Sequence, residues 1–226
     1  MDKFNIAIDG PAGAGKSTIA RLVANALGFV YVDTGAMYRA VTWRILRAGL
    51  TPEQQAEVIA LTERMDIRLA PGENGQQVFV DGNDVTTDIR SAEVTNNVSP
   101  LARIAEVRRI LTVKQQQMAA AKGVVMDGRD IGSHVLPDAE LKVFLTASAR
   151  VRAERRFQEI KDERTDVTLR QLEQEIVARD RMDEQRETAP LIQASDAILL
   201  DTTAMTILEV VDRILDLCRT KVGGGK

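Results

Sequence analysis

Gly10-Pro11-Ala12-Gly13-Ala14-Gly15-Lys16-Ser17 follows the pattern G-x-x-x-x-G-K-S and stands between two runs of different periodicity. Upstream, Phe4-Asn5-Ile6-Ala7-Ile8 is short, apolar and β-prone; downstream, Ile19, Leu22, Val23, Ala26 and Leu27 recur at helical spacing. A strand that enters a glycine-rich turn opening a helix is the context in which this pattern wraps phosphate oxygens. Glycines supply backbone torsions closed to other residues, the loop N–H groups converge on an anion, and the helix N-terminus adds partial positive charge. Residues 10–17 with Thr18 are therefore expected to bind a nucleoside triphosphate, Lys16 reaching its β- and γ-phosphates and the Ser17 hydroxyl ligating Mg²⁺. Asp127 and Asp9, each at a strand end, are equal candidates for an acidic Mg²⁺ partner, with ligation by water alone as the third possibility.

A loop of this kind needs a sheet to carry it. Further apolar runs at 29–32, 123–126, 141–145 and 197–200 alternate with helical patterns, which predicts an α/β protein with a mostly parallel five-stranded sheet flanked by helices. The length of 226 residues suits a single domain with insertions. Thr51-Pro52-Glu53-Gln54 has the form of a capping box and predicts a helix start there. From about Ile67 to Thr86 the alternation changes: Pro71-Gly72, Asn74-Gly75 and Asp81-Gly82 punctuate an apolar pattern of period two, which predicts a small antiparallel meander inserted in the fold. Charged helices are expected from about Ala149 to Arg186. Ile207, Val210, Val211, Ile214, Leu215 and Cys218 mark one face of a last helix, followed by a glycine-rich tail at 223–226.

Composition narrows the function. A net charge of −3 and a pI near 5.4, with only 4% aromatic residues, argue against nucleic acid as a partner. No apolar run approaches the ~20 residues of a membrane span, and the first residues do not form an export signal. With a single cysteine, Cys218, on a helical apolar face, the expectation is a packed thiol and a reducing, cytoplasmic setting. Any anion must then be met locally, and arginines recur where strands give way to loops and helices: Arg39, Arg129, Arg152, Arg155, Arg156, Arg179, Arg181 and Arg186. Guanidinium forks hold phosphate bidentately and stay charged. Arg129 is the sharpest case, because Asp127-Gly128-Arg129-Asp130 closes a strand at the carboxyl edge of the sheet, where α/β proteins bind ligands. Arg152 and Arg181 are better read as solvated helix-face residues. The lone His134 lacks metal-ligand neighbours, Trp43 suits packing, and Tyr38 suits either the core or an acceptor site.

Four ordered motifs, Gly10–Ser17, Asp33-Thr34-Gly35-Ala36-Met37-Tyr38-Arg39, Asp127–Asp130 and Arg179-Asp180-Arg181-Met182-Asp183-Glu184-Gln185-Arg186, together with the β-rich insert, closely resemble bacterial cytidylate kinases across essentially the whole chain. The resemblance implies a P-loop nucleoside triphosphate hydrolase-like fold in one kinase domain. Its core would span about 1–62, 91–152 and 171–222, its monophosphate-binding insert about 63–90 with an adjoining helix to about 105, and a short lid about 153–170. It implies phosphoryl transfer from MgATP to CMP or dCMP in pyrimidine metabolism by a monomeric enzyme. Lys16, Arg129, Arg155 and Arg156 would be catalytic. Arg39, Arg129 and Arg186 would hold the acceptor phosphate; Ser99, Arg108 and Asp130 would meet the cytosine edge; Asp183, with Arg179, would meet the sugar, beside Thr34 and Tyr38. Thr34 departs from the family's more familiar serine but keeps the hydroxyl. The chemistry of Asp130 agrees: a carboxylate accepts from the exocyclic amine of cytosine and faces the carbonyl oxygen of uracil unfavourably. A nucleotide-dependent switch, and a P-loop kinase of another metabolite such as shikimate or gluconate, are the alternatives.

Overall fold

The computed structural model describes residues 3–72, 75–160 and 167–223. In chain order the elements begin β1 (Asn5–Asp9), α1 (Lys16–Leu27), β2 (Val30–Asp33), α2 (Thr34–Arg47) and α3 (Gln55–Arg64). The meander β3 (Ile67–Gly72), β4 (Gly75–Val80) and β5 (Asn83–Asp84) comes next, then α4 (Ala92–Leu101) and α5 (Ala105–Ala119). The chain closes with β6 (Val124–Gly128), β7 (Leu141–Thr146), α6 (Ala149–Ile160), α7 (Leu169–Glu184), β8 (Ile198–Asp201) and α8 (Ile207–Gly223). It divides into two compact units, residues 1–30 with 122–226 and residues 31–121.

The parallel sheet has five strands in the order β2-β6-β1-β7-β8, of which β6, β1, β7 and β8 lie in the first unit. β1 is central and pairs in parallel with β6, Ile6 opposite Val125, and with β7, Ile8 opposite Val143; β7 pairs in parallel with β8. Ile6, Ile8, Val125, Met126, Leu141, Val143 and Leu145 are buried. That explains why these strands are near-continuous apolar runs: both faces of a parallel sheet are covered. α1 packs against β6 and α8, and α8 against β7. On α8 the expected stripe is buried at Val210, Val211, Ile214 and Cys218, whereas Ile207 in its first turn is exposed. The Cys218 thiol is pushed up to about 11 by burial, as befits a packed sulfur.

α6 and α7 share a small apolar core of Ala153, Ile160, Val167, Leu172 and Ile176, with Ala149, Phe157 and Leu169 against it. α7 opens with a reciprocal capping box between Thr168 and Gln171. The expected lid at 153–170 covers most of α6 and the first residues of α7; its stretch 161–166 lies outside the described residues, as does 224–226 of the expected tail.

In the second unit the predicted meander is a three-stranded antiparallel sheet of order β3-β4-β5. Asp81 and Gly82 both take positive φ, +50° and +82°, the torsions required by the tight reversal between β4 and β5. Ile67, Val78 and Val80 are its buried residues, and α2 packs on β4 and α4. One expectation is corrected: α3 starts at Gln55, a turn later than the capping-box pattern at Thr51 suggested. The Gln54 side chain does accept from the Thr51 N–H at 3.0 Å, but Gln54 N–H returns to Thr51 O at 3.1 Å and closes a separate turn first. Proline at 52 suits that turn as well as a helix start.

Candidate active site

The carboxyl edge of the parallel sheet collects the loops that carry chemistry in the first unit. β1 runs into the glycine-rich loop, whose entry admits only glycine: a Cβ at Gly10 would stand 2.1 Å from Leu145 O, at φ +146°. The loop ends at Gly15, φ +84°, which caps α1. Lys16 is 6% exposed and its Nζ donates to Pro11 O at 2.7 Å, so the ammonium folds back on its own loop. Burial holds it well below its ordinary pKa, and the neighbouring positive charges of Arg129 and Arg179 act in the same sense against Asp127 and Asp9. A desolvated ammonium crowded by two guanidinium groups is a site short of negative charge, which a polyphosphate would supply.

The Ser17 hydroxyl donates to Asp127 Oδ2 at 2.9 Å. Asp127 is the next-to-last residue of β6 and is buried, so a serine hydroxyl and one carboxylate converge at the loop. This donor set fits Mg²⁺, which binds hard oxygens, keeps waters and completes its shell with substrate phosphates. Among the described residues no group of three or more histidines, cysteines and carboxylates forms a metal cage, so a site here depends on substrate oxygens. Asp9 is engaged differently. Its Oδ1 accepts from Ile131 N–H at 2.8 Å and its Oδ2 from Gly132 N–H at 2.7 Å. Burial pushes this carboxyl up to about 6, with Asp130 adding to the rise, while the two N–H groups and Lys16 oppose it. Asp9 thus clamps the root of the phosphate loop to the π-helical turn Ile131–Val135 that follows Asp130.

Arg129 leaves β6 and donates from Nε to Asp183 Oδ2 at 2.9 Å and from Nη1 to Gly128 O at 3.3 Å. Asp183, on α7, is buried; burial alone would raise its pKa, but Arg129, Arg186 and Arg179 outweigh it and hold the carboxyl below the usual range. Arg186 lies beside the same residue, Nε on Asp183 O at 3.2 Å and Nη2 at 3.8 Å from Oδ1. Five of the sequence-predicted residues, Lys16, Arg129, Arg179, Asp183 and Arg186, therefore form one electrostatic group, with Asp130 buried next to Arg129. Two others point elsewhere. Arg155 donates to Thr202 O at 2.7 Å and to its hydroxyl at 3.2 Å, and Arg156 is exposed and paired with Glu159 at 3.0 Å.

The second unit gathers its own set. Asp33 caps α2 by accepting from Ala36 N–H at 2.9 Å, which starts the helix so that Thr34 is buried and Thr34 and Tyr38 lie one turn apart. Arg39 donates to Thr95 Oγ1 at 2.8 Å. Arg108 is buried on α5, donates to Ala102 O at 3.2 Å and places its guanidinium 5.3 Å from the Tyr38 ring centroid, so the aromatic faces a cation rather than the core alone. Ser99 is half-buried on α4, one helix before Arg108.

The structure corrects Arg152. Expected on a solvated helix face, it is 6% exposed and donates to Ala12 O in the phosphate loop at 2.8 Å, whereas Arg181 is exposed. A signal was present: Ala149, Ala153, Phe157 and Ile160 form the apolar stripe of α6, and Arg152 flanks it. His134 is exposed with its Nδ1 3.0 Å from Ser133 Oγ, outside the charged group.

Comparison with known proteins agrees in extent as well as kind. The family profile described as cytidylate kinase matches residues 6–220. The cytidylate kinase of Exiguobacterium sibiricum is 54% identical over 96% of this chain and 97% of its own length. That of Caldicellulosiruptor bescii is 51% identical over 96% of each chain. Among solved structures, an uncharacterized protein from Eubacterium ventriosum shares the fold at a TM-score of 0.51 and 10% identity, over 95% of this chain and 98% of that one. With the phosphate loop, the aspartate on its serine and the arginine group in place on a chain this closely matched from end to end, the protein belongs to the cytidylate kinase family.

Proposed function

We infer that this chain transfers the γ-phosphoryl group of ATP to CMP or dCMP, giving CDP or dCDP and ADP. The observation that carries the reading is the buried Lys16, acted on by the positive charges of Arg129 and Arg179 and next to the Ser17–Asp127 pair, on a loop with the phosphate-binding pattern. An oxygen of the CMP phosphate attacks the γ-phosphorus; the bond from γ-phosphorus to the β,γ-bridging oxygen breaks, and the electron pair leaves with ADP. No protein base is needed, because the second pKa of a phosphate monoester is about 6 and the nucleophilic dianion is largely present at neutral pH.

The protein's part is alignment and charge. The loop amides and Lys16 hold the donor phosphates, the amine leaving Pro11 O for the stronger acceptor. Arg129 and Arg186, already fixed by Asp183, offer guanidinium N–H groups to the acceptor phosphate, and Arg179 adds positive charge where the transferring group develops negative charge; Arg39, in the second unit, is a further candidate for the acceptor phosphate by the family resemblance. Mg²⁺ held by Ser17 and Asp127 would screen the donor phosphates; the two N–H bonds on Asp9 favour Asp127 over Asp9 for that role. By the family resemblance, Asp130 in the first unit and Ser99 and Arg108 in the second are the candidates for the base, and Asp183 in the first and Thr34 and Tyr38 in the second for the sugar. Arg155 and Arg156 would join only after exchanging their present partners for phosphate. We take the chain to act as a monomer in the cytoplasm and without nucleic acid, the last in keeping with the charge of −3; among the described residues no helix is long and apolar enough to cross a membrane.

The test is ADP formation from MgATP with CMP, dCMP, UMP, AMP, GMP or no acceptor at matched concentrations. Turnover confined to CMP and dCMP is expected. Slow hydrolysis indifferent to every acceptor would instead make the chain a nucleotide-dependent switch.

A further inference from the structure

Arg152 has no part in the proposed reaction, yet each of its three guanidinium nitrogens has a partner. Nε donates to Ala147 O at 2.9 Å, Nη1 to Ala12 O at 2.8 Å, and Nη2 lies 2.7 Å from Asp180 Oδ2. The three acceptors come from the link between β7 and α6, the phosphate loop and α7. A planar fork with donors in fixed directions can span them; a lysine, with one nitrogen, cannot reach all three. The loop also rests on this residue: a Cβ at Gly13 would stand 3.2 Å from Arg152 Cβ. On the other side, Asp180 follows Arg179 and precedes Asp183 by less than one helical turn, so whatever fixes Asp180 fixes the rotation and height of both. The second Asp180 oxygen is buried with no hydrogen-bond partner among the described residues, so Arg152 is the anchor of that carboxylate.

We propose that Arg152 is a positioning residue that holds the phosphate loop and α7 at a set spacing, keeping the donor phosphates on Lys16 and the groups Arg179 and Asp183 at the separation that transfer requires. The proposal rests on the kinase reading. Its two arms are separable: the Ala12 arm acts on the donor, the Asp180 arm on the acceptor side. A residue that merely stabilised the fold would change the melting temperature without distinguishing the two substrates.

The experiment compares Arg152→Lys and Asp180→Asn by ADP calorimetry, by KM for ATP and CMP, by kcat, and by thermal unfolding. Arg152→Lys is expected to weaken ADP by about tenfold and lower kcat by on the order of 10²-fold, the scale of loss that a misplacement near 1 Å of the reacting groups can cause. Asp180→Asn should leave ADP affinity within about twofold and raise KM for CMP by about tenfold, since it releases only α7. Kinetic constants and ADP affinity within about twofold of the parent in both variants, whatever the change in unfolding temperature, would overturn the proposal. So would equal weakening of ADP by both. Should Arg152→Lys fail to fold, Asp180→Asn decides alone: a raised KM for CMP with unchanged ADP affinity supports the spacing role, and an unchanged KM refutes it. A parent protein that binds ADP but does not phosphorylate CMP would refute the kinase reading instead, and the calorimetric comparison would still judge the Ala12 arm.

Discussion

Arg129→Gln removes one partner of an ion pair whose side chains are only 20% and 10% exposed and whose nitrogen and oxygen are 2.9 Å apart. Breaking a buried pair from one side costs about 3–5 kcal/mol, because the remaining charge stays desolvated without its partner. Arg186 remains 3.8 Å from Asp183 and Arg179 still acts on it, so the lower end, about 3 kcal/mol, is the expected loss of folding free energy at pH 7. The pH dependence has a definite sign. Asp183 is held below the ordinary carboxylate range, so its contribution is present above the unfolded pKa and is lost as pH falls through the folded one. Without Arg129 the effect of burial gains weight, the carboxyl takes up a proton at higher pH, and the gap between variant and parent narrows on acidification. Urea unfolding of parent, Arg129→Gln, Asp183→Asn and the double variant, repeated from pH 7 down to the acid limit of the fold, measures both quantities. In the Asp183→Asn background the arginine substitution should cost much less, because no buried anion is left behind. A loss below about 1 kcal/mol at pH 7, or the same loss with and without Asp183, would refute the assignment of this pair as a desolvated, mutually dependent unit.

Three further outcomes are expected. Asp127→Asn keeps the shape of the group bonded to Ser17 but removes its charge, so the Mg²⁺ concentration for half-maximal turnover should rise by about tenfold or more, while Asp9→Asn should leave it unchanged; a magnesium titration of initial rates decides. Asp130→Asn exchanges an acceptor for a group that also donates, so the ratio of kcat/KM for CMP over UMP should fall by on the order of tenfold, as separate rate measurements on the two acceptors will show. Asp9, whose folded pKa is raised to about 6, favours the folded state most below its unfolded pKa near 3.8 and loses that contribution as pH rises through about 6. Between those limits the stability of the parent relative to Asp9→Asn should fall by about 2–3 kcal/mol, and a flat difference across the range would exclude a buried, titrating Asp9.

What could be known from the chain alone was whatever depends on near neighbours. The phosphate loop was legible because its chemistry is backbone chemistry: glycines at 10, 13 and 15 take positive φ and the helix begins at Lys16, all within eight residues. The inner strands β1, β6 and β7 were legible because burial on both faces forces continuous apolar runs, the edge strands β2 and β8 by their short apolar composition although Val30 and Leu199 are exposed, and the meander because its turn names itself at Asp81-Gly82. Even local reasoning failed where two local structures shared one pattern, as at Thr51–Gln54, where a side chain closed a turn instead of opening α3. Tertiary structure alone decided which charges meet. Asp9 and Asp127 are alike as residues at strand ends, but one faces two N–H groups of a turn more than a hundred positions away and the other faces Ser17. Arg152 and Arg156 occupy one helix, a turn apart, yet one is buried against the phosphate loop and the other is in solvent. Propensity and periodicity act over a few residues, whereas desolvation and ion pairing depend on segments distant in the chain; the first could be read from the amino acids in order, and the second only after the sheet had brought its loops to one edge.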